Sequence, residues 1–264
     1  MVESEYTTDL KSVARTGLRV QVPPVAPSNM IPKIAHISWD DKDVLNNPAP
    51  LITHGLKNFH TLNPDWAIRI HTAQEVNEYL QAALGAKDWQ LFNNTHIVER
   101  LDFWRLLKIY NEGGVYMDID RFCNRSFDSI LKPNTEWVLP TQNEFDFSQD
   151  FMMSSPHNPA FDLALNIVLG RRRDGQRNTY YLGPQTYMHA VTKALCGREI
   201  NTNPGLEVFE EIRAAIAQHP FIVTYRENGP YDTVIYQRDS DIDFVTVKRE
   251  FYQSYGVGHW AGEW

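Results

Sequence analysis

One stretch of the chain, residues 99–120, constrains the fold more than any other. It reads ERLDFWRLLKIYNEGGVYMDID. Between residues 96 and 112 the apolar side chains recur at helical spacing around more than half of the circumference, which predicts a largely buried helix. Gly113 and Gly114 follow, and glycine favours the left-handed position that ends a helix. Residues 115–119 then have the pattern of a buried strand, so a long helix runs straight into a strand.

The remainder of the chain alternates between strand and helix patterns. Residues 33–39 and 65–71 are predicted strands, and the helix after the second of them is predicted to end near Gly85. This alternation indicates an α/β fold with a central, mainly parallel sheet flanked by helices, in which ligands bind at the carboxyl ends of strands. Further strands are predicted at 137–140, 151–154, 222–225, 233–236 and 244–247, and further helices at 158–169, 184–195 and 206–218.

Composition excludes several classes of protein. The 264 residues carry a formal net charge of −8, which argues against broad nucleic-acid binding because that requires a basic surface. No apolar stretch approaches the ~20 residues of a membrane-spanning helix. Cys123 and Cys196 lack metal-ligand spacing, so we expect buried free thiols of a reducing compartment. We therefore expect a cytoplasmic protein that can associate with a membrane at its periphery.

The N-terminal residues 1–29 differ from the rest of the chain. They contain three prolines and show no apolar periodicity, which predicts a disordered tail. Met30 stands directly before the first predicted strand and is an alternative start of the protein. Residues 30–264 are predicted to form one domain.

Four charged residues carry the predicted chemistry. Asp118 and Asp120 stand two apart at the end of a predicted strand, so their side chains either share one face or converge where the backbone turns. Two neighbouring carboxylates repel each other, and a hard cation such as Mg²⁺ or Mn²⁺ relieves the repulsion while binding phosphate oxygens and water. Asp102 and Arg105 share one helical face at i, i+3 spacing, and an arginine directed at such a site suggests a phosphate contact.

The order of these motifs resembles a known family. D-x-x-R, a helix, Gly-Gly and a strand ending in D-x-D resemble the DXD-containing glycosyltransferases of family 32, the Och-type mannosyltransferase and capsular-polysaccharide group. They are also similar to the catalytic domains of the large clostridial glucosylating toxins. The opening IPKIAHISW resembles the first strand of the family and places its tryptophan at Trp39. The closing GHWAGEW resembles the H-x-x-x-S-W motif at His259 and Trp264, although Glu263 stands where the family often has serine.

The resemblance implies a GT-A-type fold and a metal-dependent, retaining transfer. The donor would be a UDP- or GDP-sugar, the acceptor a hydroxyl of a glycan, a lipid-linked sugar or a protein, and the cofactor Mn²⁺ or Mg²⁺. Trp39 would stack on the nucleotide base, and the Trp264 indole would donate to a phosphate oxygen. The implied catalytic residues are Asp102, Arg105, Asp118 and Asp120, the nucleotide-sugar-binding residues are Trp39, Asp102, Arg105 and Trp264, and the metal ligands are Asp118, Asp120 and His259.

Two alternatives stay open. A metal-dependent hydrolase of sugar nucleotides also uses carboxylates, but it requires a base that positions water and leaves Trp39 and the D-x-x-R pair unexplained. A non-catalytic module would bind the donor sugar nucleotide without turnover.

Two weaker motifs lie further along the chain. Gly183-Pro184-Gln185 resembles the G-P element of the family, which faces the sugar, and is otherwise an ordinary helix start. Arg171, Arg172 and Arg173 follow a predicted helix and are expected in solvent, where they complement its dipole; an anionic acceptor or lipid headgroup is an alternative ligand.

Overall fold

The computed structural model describes residues 30–123, 125–143, 146–147, 149–199, 206–219, 222–226, 235–236 and 250–256. The predicted tail at residues 1–29 and the predicted strand at 244–247 lie outside these ranges. In the described part of the chain no helix is long and apolar enough to cross a membrane.

Strands and helices alternate along the chain. The strands are β1 (Ile34–Ser38), β2 (Ala67–His71), β3 (Gly114–Met117), β4 (Phe122–Cys123), β5 (Trp137–Asn143), β6 (Asp146–Phe147), β7 (Phe151–Ser154), β8 (Ile222–Arg226) and β9 (Ile235–Tyr236). The helices are α1 (Pro50–His54), α2 (Leu56–Leu62), α3 (Ala73–Trp89), α4 (Ile97–Glu112), α5 (Pro159–Arg173), α6 (Thr179–Leu182), α7 (Pro184–Cys196) and α8 (Leu206–Gln218). Residues 250–254 are also helical.

A central sheet organises the fold. Among the described residues its strand order is β2-β1-β3-β7-β5-β6, with β8 beside β5. The pairs β1–β2, β1–β3 and β5–β8 are parallel, whereas β7 runs antiparallel to β3 and β5. Strand β6 also runs antiparallel to β5. All seven strands except β6 and β7 therefore run in one direction. The predicted α/β architecture with a mainly parallel sheet is confirmed.

Two hydrophobic cores cover the two faces of the sheet. Val115 and Met117 of β3 belong to a core shared with α1 and α2, and Tyr116 between them points into the core of α4, α5 and α7. This alternation is the two-residue period of a strand that is buried on both faces. Strand β3 is thus held at the centre of the molecule, and its carboxyl end fixes the position of the D-x-D residues.

The link between α4 and β3 is as tight as the sequence predicts. Gly113 ends α4 at φ 66°, and Gly114 has φ 87°. A methyl group built on Gly114 would lie 2.5 Å from the Ile34 carbonyl oxygen. Only glycine combines this backbone conformation with so close an approach of β3 to β1. The rigid link keeps the polar face of α4 beside the carboxyl end of β3.

Several sequence predictions need correction in detail. The helix that begins at Ala73 ends at Gly85 as predicted, because the backbone there is non-helical (φ 68°), but an unpredicted second helical segment continues α3 to Trp89. Helices α1 and α2 were not predicted. Cys196 is partly exposed, whereas Cys123 is buried as expected, and both are free thiols. Arg172 does not lie in solvent: it is only 3% exposed and pairs with Glu99 at 2.6 Å.

Candidate functional site

The candidate site lies at the edge of the sheet where β1 and β3 end. These strands are parallel neighbours, so the residues that follow them, Trp39 and Asp118, emerge at the same edge. Carboxyl ends of parallel strands are the common place for ligands in α/β proteins. The structure therefore places Trp39 and the D-x-D motif at the same edge of the sheet.

The D-x-D segment is a turn rather than a continuation of the strand. Strand β3 ends at Met117, and the Asp118 carbonyl accepts a hydrogen bond from the Arg121 amide at 3.0 Å. The Asp118 amide in turn donates to the Asp150 carbonyl at 2.8 Å. Of the two geometries left open by the sequence, the turning backbone is the one observed. Asp120 is buried, whereas the Asp118 side chain is 34% exposed and open to a ligand.

Arg105 joins the helix motif to the D-x-D motif. Its Nη2 lies 2.8 Å from Asp102 Oδ1, and its Nη1 lies 3.6 Å from Asp118 Oδ1. Nη1 also donates to the Gln149 carbonyl at 3.1 Å, and Nε donates to the Leu101 carbonyl at 3.4 Å. The guanidinium thus forms ion pairs with two carboxylates and hydrogen bonds with two backbone carbonyls.

Tyr116 contacts both Asp118 and Arg105. Its hydroxyl donates to Asp118 Oδ1, and its ring lies under the Arg105 guanidinium, 4.7 Å from ring centre to Cζ. Asp118 therefore receives both a hydroxyl donor and a guanidinium on the same oxygen. These contacts fix the carboxylate in one orientation before any ligand arrives.

Burial dominates the electrostatics of the cluster. Desolvation raises the pKa of Asp102 to about 6, although the neighbouring Arg105 opposes the shift. Desolvation also raises the pKa of Asp118; Arg105 lowers it, and the repulsion of Asp120 raises it again. Burial alone would lower the pKa of the Arg105 guanidinium, but the acidic groups around it raise it by more, so it stays charged. The carboxylates thus outnumber the cations, which favours binding of a further cation.

Two residues of the site lie far from these motifs in sequence. Gly183, between α6 and α7, lies so close to Asp102 that a methyl group on it would be 2.5 Å from Asp102 Oδ2 and 3.0 Å from Gln149 Oε1. Gln149 is 5% exposed, and its buried Nε2 has no hydrogen-bond partner among the residues the structure describes. The G-P resemblance had pointed to Gly183, whereas no sequence signal identified Gln149.

An aromatic cluster surrounds Trp39 at the same edge. Phe251 stacks on Trp39 with ring centres 5.3 Å apart, and Tyr252 and Tyr255 meet it edge-on at 5.3 Å and 5.1 Å. Burial, followed by the nearby Asp120 and Asp118 carboxylates, raises the pKa of the Tyr252 hydroxyl. Tyr252 thus links the aromatic cluster to the D-x-D turn. The sequence did not single out residues 250–256 for this place.

Two of the three predicted metal ligands, Asp118 and Asp120, belong to the residues that the structure describes. No group of three His, Cys, Asp or Glu side chains that could hold a metal ion is found within the described ranges. Asp118 and Asp120 supply the oxygen donors that suit Mg²⁺ or Mn²⁺, and their mutual repulsion is the condition that such an ion relieves. The predicted ligand His259 lies outside the described residues, as do Glu263 and Trp264.

Comparison with known proteins agrees with this site. Residues 48–137 match the family described as "Glycosyltransferase sugar-binding region containing DXD motif". The chain is 23% identical over 136 residues to inositol phosphoceramide mannosyltransferase 1 of Schizosaccharomyces pombe, covering 51% of this chain and 42% of that protein. It is 29% identical over 174 residues to mannosyl phosphorylinositol ceramide synthase SUR1 of Saccharomyces cerevisiae, covering 62% and 43% respectively. The chain thus spans less than half the length of these relatives.

Among solved structures, a glycosyltransferase titled PaToxG resembles the chain with a TM-score of 0.48 and 16% sequence identity, covering 94% of this chain and 93% of that one. Asp102, Arg105, Asp118 and Asp120 all lie inside the matched residues 48–137. The sequence resemblance to the DXD-containing family is confirmed.

Proposed function

We propose that the protein transfers a hexose from a nucleoside-diphosphate sugar to a hydroxyl acceptor, because residues 48–137 match the DXD-containing sugar-binding region of glycosyltransferases. One observation carries the proposal. Arg105 ties Asp102 to Asp118 at the edge of the sheet where β1 and β3 end, through contacts of 2.8 Å and 3.6 Å. Carboxylates accept hydrogen bonds from hydroxyls and a guanidinium binds phosphate, so this pairing suits a ligand that combines a polyol with a diphosphate.

Each residue has a distinct part in the proposed reaction. Asp102 accepts hydrogen bonds from hydroxyls of the donor sugar or ribose, and Arg105 orients both carboxylates and contacts the diphosphate or the sugar. The buried, unpartnered Nε2 of Gln149 donates to a hydroxyl of the same sugar. Trp39 stacks on the base, at the border of its aromatic cluster.

The donor set favours a divalent cation. Asp118 and Asp120 would hold Mn²⁺ or Mg²⁺, which when bound neutralises the charge that develops on the departing diphosphate. Residues of the chain position the two carboxylates. Tyr116 and Arg105 contact Asp118, and the turn at residues 118–121 holds Asp120. We name no general base on the protein: when the acceptor attacks on the face from which the diphosphate departs, an oxygen of that diphosphate accepts the proton of the acceptor hydroxyl.

The relatives suggest the first substrates to try. The matched relatives are named as mannosyltransferases that act on inositol phosphoceramide or form its mannosyl derivative. We therefore propose mannose as the transferred sugar, with GDP-mannose as the donor and an inositol phosphoceramide as the acceptor. UDP-glucose and UDP-galactose are the comparison donors.

A turnover assay tests the proposal. The full chain is incubated with each donor and Mn²⁺, with and without acceptor, and both nucleotide release and glycosylated product are measured. The proposal predicts product that depends on acceptor, on metal and on Asp120, so Asp120→Asn is inactive and the exposed Asp65→Asn is a matched control with full activity. Nucleotide release that does not depend on acceptor indicates the hydrolase instead. Donor binding without either product indicates the non-catalytic module.

A further inference from the structure

A run of basic and aromatic residues borders the entrance of the site, from the end of α5 to the end of α6. Residues 171–181 contain four arginines and a single carboxylate, Asp174, in a chain whose net charge is −8. Tyr180 and Tyr181 are 40% and 42% exposed, and together with Met30 they are the exposed large hydrophobic residues of the described ranges. Their rings meet edge-on with centres 5.9 Å apart.

The four arginines differ in their partners. Arg172 pairs with Glu99 and Arg173 pairs with Asp88, so both of these charges are neutralised within the fold. Arg171 instead donates to the Tyr181 carbonyl and to Thr186 Oγ1, and it contacts Nδ1 of His189. None of these acceptors is a carboxylate. Burial lowers the pKa of the Arg171 guanidinium, and within the described ranges no carboxylate pairs with it.

Arg177 is exposed, and its hydrogen-bond acceptors are backbone carbonyls rather than carboxylates. Its Nη1 donates to the Arg172 and Gln176 carbonyls, and within the described part of the chain it forms no ion pair. Its remaining N–H groups are directed to solvent, since the residue is exposed. Arg171 and Arg177 therefore give this part of an acidic protein a local excess of positive charge that can receive an anion.

This surface continues into the donor site. Tyr181 precedes Gly183 by two residues, so their Cα atoms lie within about 7.6 Å. Gly183 in turn lies against the Asp102 carboxylate, which is the proposed partner of the donor sugar. A ligand resting on the two tyrosines is consequently within reach of a sugar bound at Asp102. Exposed aromatic rings bind the apolar faces of polyol rings, and guanidinium groups bind phosphate.

We propose that Arg171, Arg177, Tyr180 and Tyr181 form the acceptor-docking surface of the enzyme, and that its occupant is the headgroup of an inositol phospholipid. The tyrosines contact the polyol ring, Arg177 contacts the phosphodiester, and Arg171 positions the Tyr181 backbone while adding to the positive potential. The inference rests on the proposed transferase function for the position of the donor, but the surface itself binds lipid without a donor.

Matched variants separate this surface from general effects of charge. Arg177→Gln removes an unpaired guanidinium, whereas Arg173→Gln removes a guanidinium that Asp88 already neutralises. Tyr181→Ala removes the exposed ring, and Tyr181→Phe keeps it. Each variant is checked for an unchanged melting temperature, so that loss of fold is not mistaken for loss of docking.

Kinetics with inositol phosphoceramide as acceptor give the first readout. We expect Arg177→Gln and Tyr181→Ala each to raise the KM for the acceptor by about tenfold, the order of one lost charge-assisted contact or one lost ring contact, with an unchanged KM for the donor sugar nucleotide. Arg173→Gln and Tyr181→Phe stay close to the unmodified protein. Equal effects of Arg177→Gln and Arg173→Gln, or a rise in donor KM that matches the rise in acceptor KM, overturn the proposal.

Vesicle binding without nucleotide gives the second readout and distinguishes failure of this inference from failure of the transferase function. We expect the protein to sediment with vesicles that contain phosphatidylinositol in preference to vesicles of phosphatidylcholine alone or with phosphatidylserine. Arg177→Gln abolishes the preference. If sedimentation is equal with phosphatidylserine, the surface binds negative charge only and the proposed headgroup is wrong. Absence of turnover together with the expected vesicle binding refutes the transferase function and retains the docking surface.

Discussion

Replacing Gly183 by alanine perturbs the site at one defined contact. The new methyl group would lie 2.5 Å from Asp102 Oδ2 and 3.0 Å from Asp102 Cγ. A Cβ atom in ordinary van der Waals contact lies about 3.4 Å or more from its neighbour, so the carboxylate oxygen must move by roughly 1 Å. Asp102 is buried and its other oxygen forms an ion pair with Arg105 at 2.8 Å, so the movement also displaces the guanidinium.

The expected cost is large for activity and moderate for stability. A displacement of about 1 Å at a positioning group lowers turnover on the order of a hundredfold. Overpacking of a buried contact lowers the free energy of unfolding by about 1–3 kcal/mol. Activity is measured as kcat/KM for the donor in the transferase assay, and the free energy of unfolding is measured by urea titration followed by circular dichroism.

A double-mutant cycle shows whether the clash with Asp102 is the cause. In the Asp102→Ala background the carboxylate is absent, so Gly183→Ala is expected to lower the free energy of unfolding by much less than it does in the unmodified protein. An equal loss of stability in both backgrounds refutes the reasoning, and so does Gly183→Ala with unchanged kcat/KM.

Three further predictions concern buried charges. Arg105→Lys replaces a fork that joins two carboxylates by a single ammonium, so turnover should fall on the order of a hundredfold while the fold persists by circular dichroism; near-normal turnover contradicts this. Arg172→Gln leaves a buried carboxylate unpaired and should lower the free energy of unfolding by about 3 kcal/mol, against less than about 1 kcal/mol for the exposed pair broken by Arg173→Gln; equal losses contradict it. Burial lowers the pKa of His36 from 6.5 to about 3, so the unfolded chain takes up a proton that the fold excludes, and stability is lost as the pH falls below 6.5. Between about pH 8 and about pH 5, urea titrations should show a loss of stability that is about 2 kcal/mol smaller in His36→Leu than in the unmodified protein and unchanged in the exposed control His60→Leu. The neighbouring His71, whose pKa burial lowers to about 4, adds its own loss in all three proteins.

The core of the site could be predicted because its determinants are local. Asp102 and Arg105 are one helical turn apart, and Asp118 follows directly on a strand that a glycine pair joins to the same helix. Helical spacing, glycine conformation and the carboxyl end of a strand each act within a few residues. The observed contact of 2.8 Å between Asp102 and Arg105 is the outcome that this spacing predicts.

The rest of the site depends on contacts between distant parts of the chain. Gln149 reaches Arg105 from a loop 44 residues away, and Gly183 meets Asp102 from the junction of two helices. Nothing in their local sequence encodes the partner. The sequence pattern wrongly predicts Arg172 in solvent for the same reason. Its partner Glu99 is 73 residues away, and only the packing of α5 against α4 brings them together.

The central claim is that a nucleotide sugar binds at Asp118 and Asp120 with a divalent cation. Calorimetric and thermal-unfolding titrations with GDP-mannose, UDP-glucose and UDP-galactose, each with Mn²⁺ and with EDTA, test it most directly. We predict that one donor stabilises the fold in Mn²⁺, by about 2.7 kcal/mol at roughly a hundred times its Kd, and that EDTA or Asp120→Asn removes the effect. Stabilisation by no donor, or equal stabilisation of Asp120→Asn, shows that the nucleotide sugar does not bind there with a metal ion.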